Sequence, residues 1–119
     1  LLAAVDTSPL AQQVLIKTAE LARRSDAEVI VLHVIRTDNP AELQRLRQQT
    51  RRNLADIRYQ FIATPGPVPA TIMDIAHTHQ VSEIIMGKRN HHPPNNLLIG
   101  SVSQAILEKS PLPVVIIEA

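Results

Sequence analysis

The chain contains no cysteine and no tryptophan, and one tyrosine and one phenylalanine. Without thiols, disulfides, thiolate metal sites and cysteine nucleophiles are all excluded. The same absence fits a reducing compartment, and a cytoplasmic location is expected. With Tyr59 and Phe61 standing almost alone as aromatics, the core has to be aliphatic. An excess of charge of one sign is lacking too. Twelve Lys and Arg against 11 Asp and Glu leave a formal net charge of +1, which gives no reason to expect a nucleic-acid or membrane-surface partner. No apolar run approaches the roughly 20 residues of a spanning helix, and no signal peptide is visible. The 119 residues present suit a single domain over 1–119 with one real core. Leu1 falls inside a strand-like run without an initiator Met, so either trimmed ends or a domain cut from a longer chain is expected.

Along the chain, apolar runs alternate with amphipathic segments. Leu1 to Val5 reads as a strand that ends at Asp6-Thr7-Ser8-Pro9. Ser8 and Pro9 predict a helix start, with serine as N-cap and proline at the first helical position. Ala11, Leu15, Ala19 and Ala22 form one stripe of that helix, which runs to about Ser25. Ala27 to Ile35 is nearly continuous and β-branched, as in a strand covered on both faces. Asn39-Pro40 repeats the cap-and-proline start. Leu43, Leu46, Leu54 and Ile57 give the helix that follows a narrow apolar stripe. Tyr59 to Ala63 is a less hydrophobic strand, expected near a sheet edge. The breaker cluster 65–69 precedes a short helix, Ala70 to His79. A strand at 84–86, a polar loop, a helix at 101–109 and a strand at 113–117 complete the series. Five strands alternating with four helices predict an α/β sandwich of three layers with right-handed parallel crossovers.

The last third holds the features that bear on function. Ile84-Ile85-Met86 stops at Gly87, and Gly100-Ser101 opens the next helix. A glycine ending a strand and another starting a helix are places where backbone can come close to a phosphate. Gly87-Lys88-Arg89-Asn90, nine residues, then Gly100-Ser101 resembles the nucleotide loop of the universal stress protein family, Gly-x-x-Gly-(nine)-Gly-Ser/Thr. The similarity extends to Ala4-Val5-Asp6-Thr7-Ser8, Leu32-His33-Val34, Ile85-Met86-Gly87, Gly100-Ser101-Val102-Ser103 and Pro113-Val114-Val115-Ile116. Five segments in the right order make it specific.

The resemblance implies a Rossmann-like parallel sheet of five strands in the order 3-2-1-4-5, with a ligand crevice where that order reverses. It further implies that Ala4, Asp6 and Val34 meet adenine and ribose. Met86, Gly87 and Asn90 would line the ribose and phosphate path, and Gly100, Ser101, Val102 and Ser103 would hold the phosphates. The implied ligand is ATP, with or without Mg²⁺, or AMP or another adenine nucleotide. The implied role is that of a sensor or regulator, with no catalytic residues and at most slow ATP hydrolysis. Asn90 stands where the nucleotide-binding pattern has its second glycine. The alternative is therefore an interaction module that keeps the fold and dimer without the nucleotide, including a cytoplasmic domain of a transporter or sensor. The final strand would be an apolar sheet edge that needs a cover. Relatives pair it across a two-fold axis, so a homodimer through Val114, Val115 and Ile116 is expected.

Each site residue has a plainer reading. Asp6 could cap the first helix, but Ser8-Pro9 supplies that start and leaves the carboxylate for a ligand. Ser101-x-x-Gln104 is a capping box, which uses the same helix end as a phosphate. His91-His92, and His77 with His79, do not converge on a metal, and none is expected. His33 reads as a hydrogen-bonded core or crevice residue. Arg45, Arg47, Arg51 and Arg52, balanced by Glu42 and Asp56, read as a solvated helix face. Lys88 and Arg89 lie within the loop and would neutralise phosphate charge.

Overall fold

The computed structural model describes residues 1–36, 38–88 and 101–118, with Ser101 described by its backbone alone. In chain order the elements are β1 (Leu2–Ala4), α1 (Leu10–Ser25), β2 (Val29–Ile35), α2 (Pro40–Asn53), β3 (Tyr59–Pro65), α3 (Val68–Thr78), β4 (Ile84–Gly87), α4 (Ser101–Lys109) and β5 (Val114–Ile117). The five strands form one parallel sheet in the order β3-β2-β1-β4-β5. The weakly apolar β3 is an edge strand, as its composition predicts.

Two apolar layers sandwich the sheet. On one face Ala3, Val5, Val29, Val31 and Ile85 pack with Val14, Leu15 and Ala19 of α1, Leu46 of α2, and Leu54 just past it. On the other, Leu2, Leu32, Val34, Ile84 and Met86 pack with Ile72 and Ala76 of α3 and Val102 and Ile106 of α4. Successive strand residues thus enter opposite cores, which is why the strands read as continuous apolar runs rather than alternating ones. Ala11, Leu15, Ala19 and Ala22 are all at most 2% exposed, so the α1 stripe is where the periodicity puts it. The buried hydroxyls of Thr18 and Thr50 are satisfied within their own helices, donating to the carbonyls of Val14 and Leu46 at 2.7 and 2.8 Å.

Helix ends follow local chemistry, with three departures from expectation. The Asn39 side chain accepts from the backbone N–H of Ala41 and Glu42, with Pro40 just inside α2 as predicted. At α1, however, Pro9 is the N-cap and the Ser8 side chain makes no capping bond; its hydroxyl turns back to Asp6. In the second departure, α2 stops at Asn53. Leu54 is its C-cap and Ile57 lies beyond, although Leu46, Thr50 and Leu54 still form a buried stripe at i, i+4, i+8. The third is α3, which begins at Val68, two residues before the expected start. Pro69 falls in its first turn, where the missing N–H has no intrahelical partner to lose. The proline cluster therefore starts the helix instead of merely preceding it.

Candidate functional site

The sheet order reverses at β1. The chain leaves β1 through α1, on one face, and leaves β4 through α4, on the other. The carboxyl ends of these neighbouring strands are covered from opposite sides, which opens a crevice between them. Ala4 is in register with Leu32 of β2 and with Met86 of β4. Val34 lies two residues beyond Leu32 and so shares its face. Ala4, Val34, Met86 and Val102 all belong to the α3–α4 layer, with Val102 8% exposed at the first turn of α4.

Polar groups tie this end together. The fully buried Ser103 donates its hydroxyl to the carbonyl of Gly87 at 3.1 Å, fastening α4 to the end of β4. Asp6 Oδ1 accepts the backbone N–H of Ser8 at 2.9 Å and also the Ser8 hydroxyl. That Asx turn shapes the chain between β1 and α1. It reverses the dependence expected from the sequence, because Ser8 serves Asp6 rather than capping the helix. His33 Nδ1 lies 3.0 Å from the carbonyl of Val5. A carbonyl can only accept, so Nδ1 carries the proton in this contact. The half-buried histidine is thus a hydrogen-bonded residue at the strand ends, as expected.

Gly87 has a packing reason of its own. A Cβ there would lie 2.6 Å from Cδ2 and 2.9 Å from Cγ of Leu10, at the start of α1. The missing side chain lets α1 close on β4 from the face opposite Met86. Lys88 contacts the neighbouring strand: its backbone N–H donates to the carbonyl of Ile117, and its Nζ pairs with Glu118 at 3.3 Å. Gln104 donates its amide to Glu108, so its side-chain NH₂ reaches forward along α4 rather than back toward the helix start.

A cavity of about 300 Å³ lies at the same end of the sheet. It is lined among the described residues by Arg36, Gly66, Pro67, Val68, Pro69 and Val102. Sequence reasoning passed over it, treating residues 65–69 as punctuation. The available signal was the position of Arg36, two residues after Val34 and therefore on the same face. Gly66 has φ +140°, and a Cβ there would meet Thr71 Oγ1 at 2.6 Å, so only glycine makes this turn without strain.

Of the expected ligand contacts, Ala4, Asp6, Val34, Met86, Gly87, Val102 and Ser103 are placed at the carboxyl end of the sheet. Asn90 and Gly100, with Arg89, His91 and His92, lie outside the described residues, as does the side chain of Ser101. Val114, Val115 and Ile116 are half-buried on the outer strand β5. His77 and His79 are exposed, and among the described residues no group of three His, Asp or Glu could hold a metal ion. Arg45, Arg47, Arg51 and Arg52 are exposed, in keeping with a solvated face, though the Arg47 guanidinium sits 4.6 Å from the centroid of Phe61. Asp56 does not balance that face. Both of its oxygens accept from Arg23 of α1, at 2.7 and 2.9 Å.

The model of the Universal stress protein family matches residues 1–118. The chain belongs to this family. Universal stress protein A homolog 1 of Coxiella burnetii is 28% identical over 127 residues, covering 90% of this chain and 87% of that protein. A universal stress protein of Archaeoglobus fulgidus, solved in complex with dAMP, is similar with a TM-score of 0.71 at 21% identity, over 97% of this chain and 94% of that one. A universal stress protein solved in complex with cAMP gives a TM-score of 0.75 at 18% identity, over 98% and 95% of the two chains. At these identities the two structures establish the shared fold. The universal stress protein fold accounts for the strand order and for the crevice at the reversal between β1 and β4. No helix among the described residues is long and apolar enough to cross a membrane.

Proposed function

We propose that this universal stress protein domain binds an adenine nucleotide in the crevice between β1 and β4 and acts as a regulatory module. The observation that carries the reading is the gathering of Ala4, Val34, Met86 and Val102 on one face at the reversal of the sheet, beside Asp6 and the first turn of α4. Two relatives of the same fold are solved with adenine nucleotides, dAMP and cAMP. In this reading Ala4, Asp6 and Val34 take the base and ribose. Met86, Gly87 and Asn90 line the path to the phosphates, which meet Gly100, Ser101, Val102 and Ser103. A helix N-terminus offers backbone N–H groups and the positive end of a dipole to such an anion. ATP is the expected ligand, and AMP fits the same contacts. Mg²⁺, where present, would be held chiefly by phosphate oxygens and water, a usual arrangement for that ion.

Calorimetric titration with MgATP, AMP and dAMP tests the reading. Saturable heat is expected, and none up to millimolar nucleotide would overturn it. The role is one of binding rather than catalysis: phosphate release in a single turnover is expected to stay near background, with slow ATP hydrolysis at most.

The second reading, a dimeric interaction module without a nucleotide, draws on Asn90 in place of the loop glycine. It also draws on the polar groups already engaged within the chain: Ser103 with Gly87, Asp6 with Ser8, and Lys88 with Glu118. An Asn90→Gly variant that binds nucleotide where the unmodified chain does not would decide for it. Such a module would also suit the cytoplasmic part of a transporter or sensor. Both readings include a homodimer through Val114, Val115 and Ile116, because β5 leaves an apolar edge. Sedimentation at micromolar concentration should show the dimer, and a monomer there would remove it.

A further inference from the structure

The β3 side of the crevice carries a cation that the family resemblance does not assign. Along β2 and one residue past it, positions 32, 34 and 36 fall on one face by strand alternation. Leu32 and Val34 enter the α3–α4 core. Arg36 lies just past the strand end and lines the 300 Å³ cavity instead. The register pairs Ile35 with Pro65, which brings Arg36 level with Gly66, whose own side is closed by the Thr71 hydroxyl. Opposite stand Pro67, Val68 and Pro69, two of them rings with fixed φ, and the lining is completed by Val102, whose side chain shares the α3–α4 core with Val34. Arg36 is exposed, and among the described residues no carboxylate pairs with it.

An open cleft with two proline rings on one side and one planar cation on the other suits a flat heteroaromatic ring. Such a ring can lie against apolar side chains on one face and under a guanidinium on the other. Resting on the nucleotide reading above, we infer that Arg36 closes over the base of the bound nucleotide and stacks its guanidinium on the purine. The neighbouring Val34 takes the base in that reading, and the phosphates go to the start of α4. Arg36 therefore stands at the base end of the ligand and acts as a base clamp, not a phosphate ligand.

The test compares adenosine, AMP and ATP binding by calorimetry in the unmodified chain and in the Arg36→Ala and Arg36→Lys variants. Melting curves confirm that the variants fold, as expected for an exposed residue. Arg36→Ala should weaken all three ligands by the same factor, about three- to thirty-fold. Arg36→Lys, which keeps the charge and loses the plane, should recover little of it. Unchanged affinity in Arg36→Ala would overturn the clamp and leave the nucleotide reading standing. So would full recovery in Arg36→Lys, or a loss that grows from adenosine to ATP. Absence of binding to the unmodified chain would overturn both.

Discussion

At Gly87 two demands meet on one residue. In the proposed reading the glycine lies on the ligand path, while the fold needs one for the packing of Leu10 against β4. The second demand can be tested without any ligand. Gly87→Ala should destabilise the domain by about 1 kcal/mol, at the low end of overpacking costs because the half-buried Leu10 side chain can swing aside. In thermal melts that is a fall of roughly 4 °C. In a Leu10→Ala background the extra cost should largely vanish, and strict additivity of the two changes would contradict the packing account. Asp56 makes a different residue-scale prediction. The two-pronged hydrogen bond from Arg23 holds its carboxyl below the usual aspartate value. A depressed carboxylate pKa contributes stability above the ordinary value and loses it as pH falls through the folded one. Titration followed by carbon chemical shift should find Asp56 low, and Arg23→Ala should return it upward. A titration unmoved by that change would sink the pairing. Nothing in the sequence pointed to this pair, because its members lie 33 residues apart on different elements.

At the scale of elements, α2 depends most visibly on its start. Asn39 accepts two backbone N–H groups there, while the helix itself buries little besides Leu46 and Thr50. Asn39→Ala should therefore cost about 1 kcal/mol, read as a lower urea midpoint with an unchanged slope, and Asn39→Asp should retain most of the stability. An Asn39→Ala midpoint equal to that of the parent would show that the cap carries nothing. This start was legible in the sequence because capping is local: one side chain, two amides and one proline within four residues. The continuous run of β2 and the Ala-Leu stripe of α1 were legible for a similar reason, since each pattern reports directly which side is buried. Boundaries were harder where two local rules compete. Ser8 can cap a helix or close a turn on Asp6, and the turn won. Pro69 can break a helix or sit in its first turn, and the start of α3 shows the latter. The cavity beside α3 escaped notice because it is made by register between β2 and β3, which no short window of sequence contains.

For the whole molecule, the strand order decides where function can reside. With β1 central and its neighbours β2 and β4 followed by helices on opposite faces, the carboxyl end of the sheet is where the strands part beside the first turn of α4. Residues remote in sequence, Ala4, Val34, Met86 and Val102, come together there without any of them being unusual alone. The family resemblance made that gathering readable in advance, since composition and periodicity by themselves stop at an α/β sandwich. The most direct test of this account is an amide NMR map of the isotopically labelled chain titrated with AMP. Shifts should concentrate at Ala4, Asp6, Val34, Met86 and Val102 to Gln104, and leave α2 and the amino ends of the strands unmoved. Shifts spread over the exposed arginines of α2, with the crevice silent, would contradict it.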